Sequence, residues 1–540
     1  MGQAPRRRRD YSTWGRAFVA ASAATFDEPV HLASGYSALT GGRPLNWRDH
    51  PPLAEMWDAL PLLALRPAAM HQAAGSLPLY SFADVFLYKN TVDARRLLDA
   101  ARLWSLATWG ALLLGVIALW AGALGGWPAA AGAAALAAFC PPLLSNAALV
   151  TTDAAAAALY ALTFFLLSRS RRPWWLWAAA GAAMGGALAA KFSMVVVPAF
   201  AAAGLLTESR LRGSPRARPA QLLLLAAAAA LVLAAVYGRW GLDLFADGVA
   251  GTFTRLDQGR ATFLAGRHGT TGTWLYFPAA VLLKTPVPLL LLSGGALAAW
   301  LRAPDRDRFW AALAPAAFLA AALFSKTQIG YRHVLPAYPS LVVMGGWALS
   351  RLWARPWGRA AAAALVGWQA LSVCLVQPHQ LAYFNELAGG PRRGYEWLVD
   401  SNLDWGQDLP ALAAELSRRG NPAVYLSYFG VADPSYYGIR YLPLAWYSAT
   451  TRRDGLAQPE RPLLAVSATN LQGVYYVDHT LWSWLTTRRP VFVAGHSIFL
   501  YDLSGDADGR RRLAALAAAS GFLPAARRLI EYGHAPTASR

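Results

Sequence analysis

The residue types suited to chemistry lie scattered along this chain, mostly at the ends of long apolar runs. Asp27 and Glu28 stand directly before Pro29, and His31 follows three residues after Glu28. A carboxylate pair beside a membrane surface can bind a cation or take a proton from a hydroxyl. Asp ahead of Glu-Pro is also sound helix-capping chemistry, and spacing alone supports the two readings evenly. His50-Pro51-Pro52-Leu53 stiffens the backbone ahead of the apolar stretch 53–65; this suits either the start of a helix lying along the interface or an ordinary turn. Asp153, in Thr151-Thr152-Asp153, is a second acidic site between two short apolar runs, where an acid can also cap a helix. Lys191, Lys284 and Lys326, with Arg332 and His333, stand at the ends of apolar runs. Any one of these cations could simply snorkel to lipid headgroups. Together with two acidic sites they form the set that a phosphate-linked sugar donor needs. The cations would hold the leaving phosphate, and a carboxylate would activate the acceptor.

A further polar run, Asp400-Ser401-Asn402-Leu403-Asp404-Trp405-Gly406-Gln407-Asp408, lies beyond the last apolar stretch. Asp400, Asn402, Asp404, Trp405 and Gln407 offer good acceptor or sugar contacts. The same residues suit, equally well, a loop capping a helix that starts near Leu409. Asp506-Ala507-Asp508 has the form of an acidic pair that holds a nucleotide-sugar metal, but its setting, Gly-Asp-Ala-Asp-Gly, is turn composition. Neither GxxxxGK[ST] nor HExxH occurs, so ATP-driven transport and zinc proteolysis have no motif behind them.

The elements that must position these residues are membrane helices. The hydrophobic set makes up 56% of the 540 residues and charged residues only 15%, too few for a soluble chain of this length. Ten apolar runs are candidate spans: 103–124, 128–144, 152–167, 174–190, 192–206, 222–240, 286–301, 309–324, 334–349 and 360–376. Several fall short of the ~20 residues that cross a bilayer untilted, and their Ala and Gly content suits close helix packing. Net charge is +19, but the Arg clusters sit between apolar runs rather than along one soluble face. That pattern argues for basic cytoplasmic loops and against nucleic-acid binding. Arg6–Arg9, Arg169 with Arg171 and Arg172, the stretch 210–218, Arg302/Arg306/Arg308 and Arg351/Arg355/Arg359 mark that side. Only four of the 49 basic residues are Lys: Lys89, Lys191, Lys284 and Lys326. All four fall on the opposite face, against the positive-inside rule, which favours a functional role. Cys140 and Cys374 both sit in apolar runs and imply neither a disulfide nor a zinc site.

The expected organisation has four parts. Residues 1–26 are a basic start and a short first helix, whose crossing between Tyr11 and Phe26 is so brief that a truncated start is favoured. Residues 27–102 form an outer loop with interfacial helices, and 103–378 the helical body. Residues 379–540 form a small outer α/β domain, with strands at 424–429, 462–467 and 490–502 and a helix at 409–419 ended by Gly420. The last residues, with Pro536 and Ser539, are expected to fray.

In this order the motifs resemble the protein O-mannosyltransferases and their bacterial relatives, the phospholipid carrier-dependent glycosyltransferases of the C-type membrane fold. Asp27-Glu28 resembles the family's acidic motif and His50-Pro51-Pro52-Leu53 its HPPL segment. Arg102, Asp153, Lys191, Lys284-Thr285-Pro286 and Gly330-Tyr331-Arg332-His333-Val334-Leu335-Pro336 match in order and topology, and the 400–408 run is similar to that of bacterial members. The resemblance implies an inverting transfer from a polyprenyl-phosphate sugar to a hydroxyl of a protein, lipid or glycan. Asp27, with Glu28, would be the catalytic base, and Asp153 a second acidic site. Arg102, Lys191, Lys284, Arg332 and His333 would receive the donor phosphate, and His31 and His50 would lie on the substrate loop. A divalent cation, Mg or Mn, is an optional cofactor whose ligands would be Asp27 and Asp153. The expected partners are the lipid donor and membrane lipids, with no nucleic acid. The expected location is a bacterial inner membrane, with the active site and tail on the extracytoplasmic face. A transporter or lipid flippase is the principal rival; it would place ionisable residues near the midplane on broken helices in repeated halves, and no internal repeat is found here. A ligase or polymerase using a diphosphate-linked donor is the second rival.

Overall fold

The computed structural model describes residues 14–69, 77–170, 173–212, 217–303, 305–445 and 456–532. Arg6–Arg9, Arg171, Arg172, part of the 210–218 stretch, Pro536 and Ser539 lie outside them. The chain is a multi-pass, mostly helical membrane protein with a mixed sheet near its C-terminus.

Each of the ten apolar runs becomes helix, because an apolar backbone can satisfy its own N–H and C=O groups in lipid only that way. By length and composition alone, fewer than ten of the described helices qualify as spans. Among the described residues three helices are long and apolar enough to cross: Ala94–Ala138, Phe192–Arg210 and Pro219–Tyr237. Two bent pairs bring the number to five if each is one span. These are Pro141–Ala147 with Thr152–Arg169, bent by 117°, and Tyr276–Lys284 with Val287–Arg302, bent by 115°. The interruptions have local causes. Runs 103–124 and 128–144 form two helices joined across a kink at Gly125 and Gly126, where φ/ψ leave the helix, and the second run stops again before Pro141. Run 334–349 opens as 3₁₀ turns over Tyr331–Ala337, and run 192–206 opens likewise over Phe192–Val196. The first described helix, Trp14–Ala21, has eight residues, about 12 Å of rise. Small residues let helices close up as expected. A Cβ on Gly181 or Gly185 of Trp175–Ala190 would fall 2.2 or 2.5 Å from the carbonyl oxygens of Leu225 and Ala229 in Pro219–Tyr237.

The stretch 53–65 is helical in two short pieces. It forms Pro52–Ala59 and Leu62–Leu65, with Glu55 and Asp58 both buried. A hairpin, β1 (Thr262–Leu264) and β2 (Arg267–Gly269), sits in the loop 241–275. The tail is built on a five-stranded sheet in the order β4-β3-β5-β7-β6, from β3 (Val424–Ser427), β4 (Tyr441–Pro443), β5 (Leu463–Ser467), β6 (Phe492–Ala494) and β7 (Ile498–Asp502). Strand β3 runs parallel to β4 and β5, while β7 is antiparallel to β5 and β6. Period-two alternation divides the two faces. Val424, Leu426, Leu463, Ala465, Ile498 and Leu500 cluster with Leu409, Leu412 and Leu416 of helix Leu409–Arg418. Tyr425, Leu464, Val466, Phe499 and Tyr501 share the other cluster with Leu513 and Leu529 of helices Ala507–Ala519 and Leu523–Glu531. Two expectations are corrected here. The single strand expected at 490–502 is an antiparallel pair turned through Gly495 and His496, both at positive φ, and β4, an edge strand ending in Pro443, was not anticipated. Asp506 caps Ala507–Ala519 through the Gly509 N–H, Asp508 lies in the first turn of that helix, and Arg488 binds both; the acidic pair opens a helix where a turn was expected.

Candidate functional site

A cavity of about 420 Å³ opens between the segment 27–80 and the helices that follow it. Asp27, His31, Asn46, Asp49, His50, Lys191, Arg255, Arg260, Arg332 and His333 line its polar part. Phe192, Val195, Val196, Phe277, Phe318, Ala322 and Phe324 make an apolar wall. Two of the cations stand where helices break. Lys191 is the extended residue between Trp175–Ala190 and the 3₁₀ turn Phe192–Val196, and Arg332 lies in the 3₁₀ segment Tyr331–Ala337. Irregular backbone among membrane helices is tolerated where it lines a cavity.

Asp27 occupies the cap position of helix Glu28–Leu39, yet its side chain caps nothing. It points instead to Arg332, with Oδ2 3.0 Å from Nη1. The same Nη1 is 3.7 Å from Asp153 Oδ2, and Lys191 Nζ holds Asp153 Oδ1. Asp153 is buried in the first turn of Thr152–Arg169. Asp27, Asp153, Lys191 and Arg332, separated by up to 305 residues of sequence (332 − 27), therefore form one alternating charge cluster.

Glu28 faces the opposite way. It binds Arg102 through both oxygens, at 2.8 and 2.6 Å, and accepts from the backbone N–H of Thr25 and Val150. Arg102 completes its fork on the carbonyls of Ser22 and Ala23. Both side chains are fully buried, and neither lines the cavity. Lys284 is buried too, donating to the carbonyls of Leu381 and Asn402 at 2.9 and 2.5 Å between the rings of Tyr331 and Phe384. Of the four Lys residues, Lys191 alone lines the cavity; Lys326 pairs with Asp257 and Lys89 ends helix Leu79–Tyr88.

His31 and His50 meet edge to face, with ring centres 4.8 Å apart. Burial alone would depress the His31 pKa, but the Glu55 carboxylate at 2.9 Å raises it. Burial, with the neighbouring positive charge of His31 and Lys191, pushes His50 well down. Glu55 also accepts from Ser34 and Asn46 at 2.5 and 3.0 Å, a buried network that the sequence did not announce.

The 400–408 loop is buried rather than open to the cavity. Asn402 donates to Tyr276 and accepts from the Tyr331 N–H, and Asp404 accepts from the Thr469 N–H. Gln407 bridges the Trp405 N–H and the Leu403 carbonyl. Asp400 takes a left-handed backbone (φ +57) and accepts from the Tyr475 hydroxyl and the Ser401 N–H. Burial pushes its pKa up to about 6, against the pull of Tyr475 and Arg332. A raised carboxyl pKa favours the protonated form in the folded state, so stability is lost as pH rises through about 6. Asp400→Asn is therefore expected to raise the melting temperature at pH 8 and change little at pH 4, as thermal unfolding at the two pH values would show.

Sequence reasoning missed Arg260, Arg255, Asp49 and Tyr80, all on the cavity. Arg255 pairs with Asp49 at 3.2 Å. Among the described residues the Arg260 guanidinium makes no ion pair, and its electrostatic neighbours include Asp27 and Asp400. Both Arg residues lie in loop 241–285, which the sequence assigns to the same face as the Lys residues, so the positive-inside exception used to single out Lys would have found them as well.

The residues do not fit a resident divalent ion at Asp27 and Asp153 as arranged. Both carboxylates already face Arg332, and one also holds Lys191; a further double positive charge would meet two cations within a few ångström. Among the described residues no group of three or more His, Cys, Asp or Glu side chains could hold a metal.

No family model matches the chain, and no curated protein matches it significantly. Among solved structures, ArnT from Cupriavidus metallidurans bound to undecaprenyl phosphate is similar at 15% identity, covering 90% of this chain and 95% of that one, with a TM-score of 0.48. The archaeal oligosaccharyltransferase AglB from Archaeoglobus fulgidus, in complex with an inhibitory peptide and a dolichol-phosphate, is similar at 12% identity over 77% of this chain and 61% of that one, TM-score 0.44. The Archaeoglobus fulgidus oligosaccharyltransferase in complex with Zn and sulfate gives 14% identity over 68% and 51%, TM-score 0.40. All three scores lie below 0.5, and what those proteins bind is not thereby carried to this chain.

Proposed function

We propose that the chain is a C-type membrane glycosyltransferase that moves a sugar from a polyprenyl-phosphate donor to an acceptor hydroxyl, with inversion, on the extracytoplasmic face of a bacterial inner membrane. The observation that carries this reading is the two-part cavity: a carboxylate beside unequally satisfied cations at one end, and an apolar wall beyond them. The apolar wall suits a prenyl chain, while Arg332, Lys191 and Arg260 suit its phosphate.

In the reaction, Asp27 takes the proton from the acceptor hydroxyl as its oxygen attacks the anomeric carbon. The carbon–oxygen bond to the phosphate breaks, and the phosphate keeps the electron pair. Arg332, Lys191 and Arg260 stabilise the charge that develops there, in a site partly shielded from water. Asp153 keeps Lys191 and Arg332 oriented. Glu28 and Arg102 take no part in the chemistry on this reading; they hold segment 22–28 in place.

The test is transfer of labelled sugar from polyprenyl-phosphate donors by the purified protein in lipid. Wild type is expected to transfer. Arg332→Gln is expected to lose 10²–10³-fold in kcat, the usual effect of removing one donor to a developing charge. No transfer from any donor would return the transporter or flippase reading to first place, and unchanged kcat in Arg332→Gln would remove Arg332 from the phosphate.

A further inference from the structure

We infer that loop 400–407, whose composition suggests sugar contact, instead sets the register between Asp27 and Arg332, with Ser401 and Trp405 as positioning residues. As a statement about catalysis this rests on the glycosyltransferase reading above; the contacts themselves do not.

Ser401, Asn402, Asp404, Trp405 and Gln407 are all buried, and none lines the cavity. Beside contacts with Tyr276, Thr469 and the loop itself, the loop bonds to the two segments that carry the charged pair. On one side the loop backbone takes up the strand-like segment before Asp27. Ala23 N–H donates to the Gln407 carbonyl at 2.7 Å, and Phe26 N–H to the Trp405 carbonyl at 3.0 Å. On the other side it grips the segment around Arg332. Ser401 Oγ donates to the Ile329 carbonyl at 2.8 Å, and Tyr331 N–H donates to Asn402 Oδ1 at 2.9 Å. Gly330 makes this approach possible, since a Cβ there would fall 2.1 Å from Ser401 Oγ.

The same loop then fixes the Arg332 side chain itself. Arg332 Nε donates to Ser401 Oγ at 3.1 Å, and the guanidinium carbon lies 4.2 Å over the Trp405 ring. A planar fork laid on an indole and tied at Nε retains little freedom, because its Nη groups lie in the same plane as Nε. Nη1 points at Asp27 and Asp153. A phosphate entering the cavity could take Nη1 from Asp27 without the side chain reorienting, which also frees the base. Charge alone would draw a phosphate to Arg332 in many orientations, whereas alignment at the transition state is exacting. Loosening the loop should therefore lower kcat more than it weakens donor binding.

The experiment uses the intact protein in lipid, with Ser401→Ala, Trp405→Phe and Trp405→Leu made alone and together with Arg332→Gln. Two readouts are taken: steady-state transfer, and the rate of carbodiimide labelling of Asp27 followed by mass spectrometry. Ser401→Ala is expected to lower kcat about tenfold with donor KM changed less than about twofold. It should also raise Asp27 labelling severalfold as Arg332 loosens. Trp405→Phe keeps a ring face and should retain most activity, while Trp405→Leu should behave like Ser401→Ala. In the Arg332→Gln background neither loop substitution should add a further effect, which a merely structural role would not produce. Additive effects in that background, or Asp27 labelling unchanged by Ser401→Ala, would overturn the inference. So would Trp405 variants that change donor sugar selectivity, because the loop would then touch sugar. If Trp405→Leu fails to fold, Ser401→Ala and Trp405→Phe decide. If wild type transfers no sugar but the labelling pattern holds, the glycosyltransferase reading fails and the positioning role stands.

Discussion

Replacing Asp27 with Asn is expected to lower sugar transfer by roughly 10²–10⁴-fold in kcat, the range a positioned general base contributes, with the melting temperature left nearly unchanged. Asn keeps the shape of the side chain and an oxygen for Arg332, which lies 3.0 Å away, but it cannot accept the acceptor's proton. The side chain makes no cap hydrogen bond to its own helix, and Arg332 keeps Asp153, 3.7 Å from its Nη1, as a second counter-charge when the Asp27 charge is removed. Initial rates at saturating donor, beside thermal unfolding of the same preparation, measure both parts. If Asp27→Asn transfers at near the wild-type rate, the base lies elsewhere. Asp153 is one candidate, and His50, which burial and its positive neighbours keep neutral on the cavity wall, is another.

The adjacent carboxylate should behave in the opposite manner. Glu28→Gln leaves Arg102 fully buried without its counter-charge, a change that costs about 3–5 kcal/mol in comparable buried pairs. At roughly 2–4 °C per kcal/mol for a large domain, that corresponds to a fall in melting temperature on the order of 10 °C. Removing both charges with Glu28→Gln and Arg102→Met should recover part of the loss, since a buried pair costs desolvation on each side. Recovery should be incomplete, because the Val150 and Thr25 N–H groups also depend on the Glu28 carboxylate. Thermal unfolding of the single and double variants in one detergent reads this directly. A shift of less than about 1 °C for Glu28→Gln would mean that water reaches Arg102, contrary to its complete burial.

These neighbouring residues show what sequence can and cannot tell. Asp27 and Glu28 read as one acidic motif, and nothing in the local pattern separates a carboxylate on the cavity from one locked in an ion pair. The separation comes from Arg102, Val150 and Arg332, distant in sequence and brought close only by the fold. The helices were legible because an apolar run in lipid has one way to satisfy its backbone. The breaks at Gly125–Gly126 and at Lys191 fall between runs that the sequence already separates, whereas the 3₁₀ openings Phe192–Val196 and Tyr331–Ala337 were not legible, since they change the backbone without interrupting the apolar composition. The Lys argument drew attention to Lys191 on the cavity, yet it brought in Lys284, whose ammonium is spent on carbonyls, and passed over Arg260. Loop 400–407 left two readings open for a chemical reason. Sugars and peptide backbones offer the same donors and acceptors, so residues suited to one are suited to the other, and only burial tells them apart.

The contacts of Ala23 and Phe26 with Gln407 and Trp405 also bear on how the protein is made. The ribosome produces the segment carrying Asp27 nearly 400 residues before the loop that completes its hydrogen bonding (407 − 23 = 384). Until that loop has been synthesised and has reached the same side of the membrane, Asp27 and Arg332 have no shared template. A nascent chain therefore passes through insertion with its charged pair unassembled, and only the finished polypeptide can carry an organised site.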